Sequence, residues 1–421
     1  MILKIYKPVL FIAALLALAQ PVLAQVAPDT SENQAPESGN FDKSVKMLDM
    51  KLNVNTKRLD IAMNKLNRNI NRNIHRLDFN KLGTDISANV NDIVNSVGIS
   101  VDANDEGNII ESGKSASERI KTYSKSYTVD GNDKLAVDNK YGRVTINAWN
   151  KNEVRVDVQI KGSASDDETA QKLVDNISIS DSKDGNVVSF RTNFGKGTSG
   201  SIWDLFNNMN DRHRAEVNYT VYMPSTLSLD LRNKYGSVVL PSLSGKVVID
   251  NAYGSLVAKA LTNPSNEMRF RYYEVNIEEL KGGAIDLSYG SLKLGNVGKV
   301  EANISYAPVD IEKLMWDGSF NVRYGGGVKI SEISKALKNL DINSTYSSVN
   351  IGLKGDENFD FDVTVRYGSF NFDDSRLKVT SKSPDDGKHY RPTKTYRGYA
   401  GNNSSGNKIT ISSTYQSVKL E

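Results

Sequence analysis

Few side chains in this sequence could do chemistry by spacing alone. The 421 residues hold three histidines and no cysteine, which removes thiol nucleophiles, cysteine-ligated zinc, iron–sulfur clusters and disulfide frameworks. His75, His213 and His389 are far apart, with no second histidine at ligand spacing, so a three-ligand zinc site has no support. Neither a G-x-x-x-x-G-K-[ST] phosphate loop nor a G-x-S-x-G elbow occurs. Carboxylates are numerous, Asp181, Asp184, Asp373 and Asp374 among them. Glycosidic cleavage needs two of them about 5–9 Å apart, which only a structure can show. Aromatic chemistry is left. One cluster is Tyr390, Arg391, Tyr396, Arg397 and Tyr399 within an excursion over 373–408. Tyrosine and arginine dominate binding hot spots, so this is a candidate binding loop, with a solvated connection as the plainer alternative.

The second aromatic pattern is a repeat. Tyr141, Tyr235, Tyr253, Tyr272, Tyr289, Tyr306, Tyr324, Tyr346, Tyr367 and Tyr415 each open a motif such as YGSVVL or YGSLKL. From Tyr235 to Tyr367 the steps are 18, 19, 17, 17, 18, 22 and 21 residues. Before each tyrosine the apolar residues alternate, as in Leu227, Leu229 and Leu231 or Phe361, Val363 and Val365. A strand sends every second side chain to one face. The tyrosine shares that parity, so an inward-facing ladder is expected, some of its hydroxyls partnered by Asn139, Asn233, Asn251, Ser344 and Ser413, with an exposed aromatic row that binds sugars or bases as the alternative. After the tyrosine the parity flips, and the following glycine would supply the bend. A third apolar residue falls eight positions on, as at Leu243, Leu261, Leu280, Val297, Leu314 and Ile333.

Each copy thus reads as one coil, and copies stacked in register give a parallel β-solenoid, whose units are stable only against neighbours. The expected fold is all-β: a solenoid of 17–22-residue coils with a Tyr-Gly corner over 235–421. Residues 123–234 would hold the first coil and a small α+β cap. Within it 154–160, 177–180, 187–190 and 217–222 read as strands, and the acid-led run 166–176 as a helix able to cover an open sheet edge. The excursion 195–211 carries Ile202, Trp203, Leu205 and Phe206, read as packing over that cap, with an exposed tip that inserts into a partner as the alternative.

The amino-terminal quarter differs. Residues 1–24 pair Lys4 and Lys7 with an apolar run ending at Val22-Leu23-Ala24, the pattern of a cleaved export signal. Its apolar core is too short to span a bilayer, so no transmembrane span is expected after cleavage. Residues 25–42 read as a disordered tether, and 43–97 as basic amphipathic helices. Leu59, Met63, Leu66, Ile70, Ile74 and Leu77 form their apolar stripe. Seven cations between Lys57 and Lys81 face only Asp60 and Asp78. That face could meet an anionic surface or merely solvate a coiled-coil oligomer. A linker over 98–122 follows.

The segments TINAWNKNEVRVDVQIKGSASDDETAQKLVDNISIS, VNYTVYMPSTLSLDLRNKYGSVVLPSLSGKVVIDNAYGSL and ITISSTYQSVKLE resemble the bacterial putative-adhesin family, β-solenoid envelope modules of unknown function. The resemblance covers roughly 120–421 and implies an exported, noncatalytic protein of the periplasm or cell surface. It transfers no functional residues. The sequence itself agrees: 53 Lys+Arg balance 50 Asp+Glu, which argues against a nucleic-acid binder. Without cysteine the chain is not a lipoprotein. No cofactor is expected, and the expected partner is an envelope or extracellular polymer or protein, met through a repetitive surface. The rival is a polysaccharide-processing β-helix enzyme. The outward positions Val239, Val257, Asn276, Lys293, Asp310, Lys329, Asn350 and Asn371 lack the concentrated acid–base strip such an enzyme would need. A periplasmic sensor or assembly partner, engaged through 43–97, is a third possibility.

Overall fold

The structure, a computed structural model, describes residues 117–195, 214–384, 391–402 and 405–421. The expected signal, tether and basic helices, and the cluster Ile202, Trp203, Leu205 and Phe206, lie outside the described residues. What is described is all-β with a single helix. Strands β1 (Ser117–Thr128), β2 (Lys134–Lys140), β3 (Val144–Trp149) and β4 (Glu153–Ala164) lead into helix α1 (Asp167–Asp175). Then come β5 (Ile177–Asp184), β6 (Val187–Phe194) and β7 (Arg214–Pro224). The central run is β8 (Ser228–Leu240), β9 (Val247–Leu261), β10 (Asn266–Ser305), β11 (Val309–Arg323), β12 (Val328–Ile333), β13 (Asn339–Thr345) and β14 (Val349–Ile351). The carboxy-terminal part holds β15 (Phe359–Arg366), β16 (Phe370–Phe372), β17 (Leu377–Ser383), β18 (Thr393–Ala400), β19 (Lys408–Thr414) and β20 (Val418–Leu420).

The helix begins where its sequence says it should. The Asp166 side chain accepts from the Thr169 backbone N–H at 2.8 Å, the N-cap arrangement that satisfies an orphan donor. Ala170, Leu173 and Val174 are buried. Gly162 on β4 lets the helix approach: a Cβ there would lie 2.7 Å from the Ala170 carbonyl.

Central strands pair in parallel, one repeat apart. Leu229 aligns with Val247, Ile249 with Met268, Leu292 with Val309, and Val309 with Val328. Like residues therefore stack on like, and one continuous core receives Leu231, Ile249, Phe270, Ile304, Phe320, Ile342 and their counterparts, each at most 1% exposed. The third apolar position is buried too, from Leu243 through Ile333.

Chain order and spatial order part at the carboxy terminus. β19 pairs in parallel with both β13 and β15, and β20 with β14 and β16. The last repeat, at Tyr415, is therefore inserted between those of Tyr346 and Tyr367. Beyond this stack the pairing turns antiparallel. β1 meets β4, and β4 meets β7; at the other end β15 meets β18, and β18 meets β17. Much of the expected loop 373–408 is thus strand, and Ser117–Thr128 is strand where a linker to residue 122 was expected.

The tyrosines overturn the expected inward ladder. All ten sit at φ between 54° and 67°, a region bulky residues rarely enter. The residue two before each remains inside, as at Asn233 and Asn251, both fully buried. A left-handed residue breaks the two-residue alternation, so the ring swings outward and the next residue takes the inner place, as at Gly142, Tyr273, Ala307 and Ser347. That inner place explains the glycine better than a bend does. A Cβ on Gly236 would lie 1.7 Å from the Gly142 carbonyl oxygen, and one on Gly254 would lie 1.9 Å from that of Gly236. The glycine is demanded by close approach of neighbouring backbones; the bend belongs to the tyrosine. Such a conformation costs about 1–2 kcal/mol per residue. Stacking offsets about 0.5–1.5 kcal/mol per aromatic pair, so a copy without neighbours would be strained and uncompensated.

Candidate functional site

Because each tyrosine turns outward at the same place in its repeat, the rings line up. In spatial order they run Tyr141, Tyr235, Tyr253, Tyr272, Tyr289, Tyr306, Tyr324, Tyr346, Tyr415 and Tyr367. Successive centroids lie 4.5–5.3 Å apart, with planes within 13° of parallel. Tyr272 is 38% exposed and Tyr324 52%. The expectation of rings sequestered in the core is therefore wrong for the ladder.

The ring faces are spent on one another. At one end the Phe194 ring meets Tyr141 edge-on, 5.6 Å away and at 89°; at the other the Arg366 guanidinium lies 5.4 Å from the Tyr367 centroid. A partner approaching from solvent meets a straight row of ring edges and hydroxyls. Burial, and then the neighbouring phenols, push the Tyr141, Tyr253, Tyr289 and Tyr346 hydroxyls above the ordinary phenol range. They stay protonated at neutral pH, able both to donate and to accept.

Each margin of the ladder has its own composition. The residue before the tyrosine points out, and there stand Lys140, Lys234, Arg271, Arg323 and Arg366, the other places being alanine, serine or threonine. Arg271 is paired with Asp250 at 2.7 Å. Two residues after the tyrosine stand Ser237, Ser255, Ser291, Ser348, Ser369 and Ser417. Arg143 holds that place at the first rung and bonds Ser237 at 3.2 Å. Glu274 holds it beside Tyr272, and burial raises its carboxyl above the usual range.

The expected partners of the ladder hydroxyls work elsewhere. Asn139 donates to the Val217 carbonyl at 3.0 Å, Asn233 to the Gly142 carbonyl at 3.1 Å, and Ser413 to the Gln416 carbonyl at 3.0 Å. Ser344 likewise bonds the Ser347 carbonyl. These buried groups satisfy the backbone around the corner. Asn251 donates to Tyr273 at 3.2 Å, an inner tyrosine that also donates to the Gly236 carbonyl at 3.1 Å.

Three of the carboxy-terminal candidates, Tyr396, Arg397 and Tyr399, share strand β18. Tyr390 lies outside the described residues, and Arg391 is exposed. Tyr396 packs 5.3 Å from Phe370, Arg397 binds Asp362 at 2.9 Å, and Lys378 lies over Tyr399 at 5.8 Å. These three serve a strand between β15 and β17.

The acids are occupied as well. Asp181 accepts from both Tyr123 and Tyr127, which holds its carboxyl below the usual range. Asp373 accepts from Ser375 in its own turn. Among the described residues no three His, Cys, Asp or Glu side chains gather as metal ligands. A shallow cleft of about 380 Å³ beside β2 and β6 includes Asp138, Arg191, Asp230 and Arg232. Three of these charges are engaged, with Arg191 3.2 Å from Asp138 and Lys134 3.9 Å from Asp230. Among the described residues no helix is long and apolar enough to cross a membrane.

No family model matches the chain, and no curated protein matches it. Among solved structures it is similar to a putative cell adhesion protein from Clostridium sporogenes ATCC 15579, at 11% identity and TM-score 0.18, covering 72% of this chain and 99% of that one. It is also similar to a putative adhesin from Bacteroides fragilis NCTC 9343, at 11% identity and TM-score 0.26, covering 72% and 97%. A putative adhesin from Parabacteroides distasonis ATCC 8503 matches at 8% identity and TM-score 0.23, again covering 72% and 97%.

Proposed function

We propose that this protein is a noncatalytic binding module of the bacterial cell envelope, exported and displayed as a β-solenoid. Its contact surface is the outward tyrosine ladder. One observation carries this reading: ten tyrosines, eight of them exposed and each held in a costly backbone conformation, stand in one unbroken row. Burying the rings would serve stability better, since exposed aromatic area forgoes hydrophobic gain. A repeated surface binds by adding weak contacts at high effective concentration. Residues 43–97 would add contact with an anionic surface or with further copies of the chain.

Fractionation with protease shaving of intact cells tests the location, and an envelope polymer pull-down with a reducing-end assay tests the activity. The expected result is an exported protein that retains polymer without cutting it. Release of reducing or unsaturated ends, lost on mutating a carboxylate such as Asp138 or Asp230, would establish the polysaccharide-processing alternative instead. Capture of one specific protein through 43–97 alone would favour the assembly-partner alternative.

A further inference from the structure

The ladder's margins narrow what it can hold. Ring faces are closed by mutual stacking, so a ligand cannot intercalate or lie flat on an aromatic platform. A linear chain running along the row can instead meet one hydroxyl per rung, on rings whose centroids lie 4.5–5.3 Å apart. The preceding row adds Lys140, Lys234, Arg271, Arg323 and Arg366 and no acid. Lys140, Lys234 and Arg323 have no ion pair among the described residues. The following row adds serine hydroxyls, with Arg143 at one rung and the desolvated Glu274 at another.

We propose that the ladder binds a linear acidic polysaccharide, its sugar hydroxyls meeting the phenol and serine rows and its carboxylates the flanking cations. The proposal rests on the envelope-binding reading and names the polymer class for that surface. A second copy of this chain fits less well, because two such rows face to face would oppose cation with cation. An anionic bilayer fits less well too, since the row offers ring edges and hydroxyls rather than apolar side chains that insert.

The experiment measures binding of the full chain to alginate, a linear polyuronate, against dextran and against phosphatidylglycerol vesicles. Alginate should bind, weaken with added salt, and weaken about tenfold or more in Lys234→Glu/Arg323→Glu, a loss of about 1.4 kcal/mol or more. Those exposed changes leave the core intact, and circular dichroism checks the fold. Tyr289→Phe/Tyr306→Phe keeps the rings and removes two hydroxyls, and should weaken alginate about threefold or more while leaving stacking in place. Absence of alginate binding, equal binding by the charge-reversed variant, or vesicle binding with the same charge sensitivity overturns the proposal. If alginate fails while isolated envelope polymer is still retained, the broader reading survives and only the polymer class falls. If alginate is bound and cut, the ladder stands and the noncatalytic reading falls.

Discussion

At most bends two successive residues face opposite ways under different constraints. The tyrosine points to solvent and is the same ten times. Its neighbour takes the inner place as glycine at Gly236 and Gly254, alanine at Ala307, serine at Ser347 and a full ring at Tyr273, whereas Gln416 after Tyr415 is exposed. The inner place is thus governed by the space the adjoining rung leaves. Tyr273 fits because Gly254 beside it has no side chain; a Cβ there would lie 2.9 Å from the Tyr273 ring. The outer place meets no steric limit of that kind, yet it never varies. Invariance without crowding is what stacking and a shared ligand surface require.

The comparison breaks most easily on the inside. Gly236→Ala should lower stability by about 3 kcal/mol, because backbone rather than a movable side chain blocks the new methyl group. Gly131→Ala, with nothing within 4 Å of the added Cβ, should change stability by less than about 0.5 kcal/mol. Urea unfolding of the pair measures the contrast, and equal midpoints would refute close approach as the reason for glycine.

On the outside, Tyr306→Ala loses two stacking contacts but keeps the left-handed backbone, and should lose about 2 kcal/mol. Tyr306→Gly removes the strain as well, and should recover about 1 kcal/mol of that loss. If alanine and glycine unfold alike, the ladder carries no backbone strain. Back inside, Tyr273→Phe leaves the Asn251 amide and the Gly236 carbonyl without their hydroxyl, at a cost of about 1–2 kcal/mol.

The smallest effect is alkaline. Burial pushes the Tyr219 hydroxyl up to about 12 and that of Tyr273 higher still, and it raises Tyr141, Tyr253, Tyr289 and Tyr346. A phenol whose folded value lies above its unfolded value of about 10 contributes stability fully present below pH 10. That stability is lost as pH rises through the folded values. Phenolate absorbance should therefore show a late-titrating fraction that appears together with unfolding, and a single early step would count against it.

Much of this architecture was legible beforehand. The tyrosine spacing announced the repeat, and the acid-led run from Asp166 announced the helix. The alternation of Leu227, Leu229 and Leu231 identified the buried row. The same alternation misled at its last step, because parity counts only while backbone dihedrals stay extended, and nothing in the letters Tyr-Gly says which residue takes the positive φ. The cluster around Tyr396 and Arg397 was equally ambiguous, since exposed aromatic and cationic residues also suit a half-covered strand. Asp362 and Phe370, which engage them, are distant in sequence.

By itself, the sequence determined the period and the side chains that fill the core, since these follow from local spacing and polarity. Only the tertiary structure decided that the rings face water, that the last repeat slips between two earlier ones and that antiparallel strands flank the stack. Each of those outcomes depends on backbone hydrogen bonds and steric gaps between segments far apart along the chain, which one-dimensional spacing cannot encode.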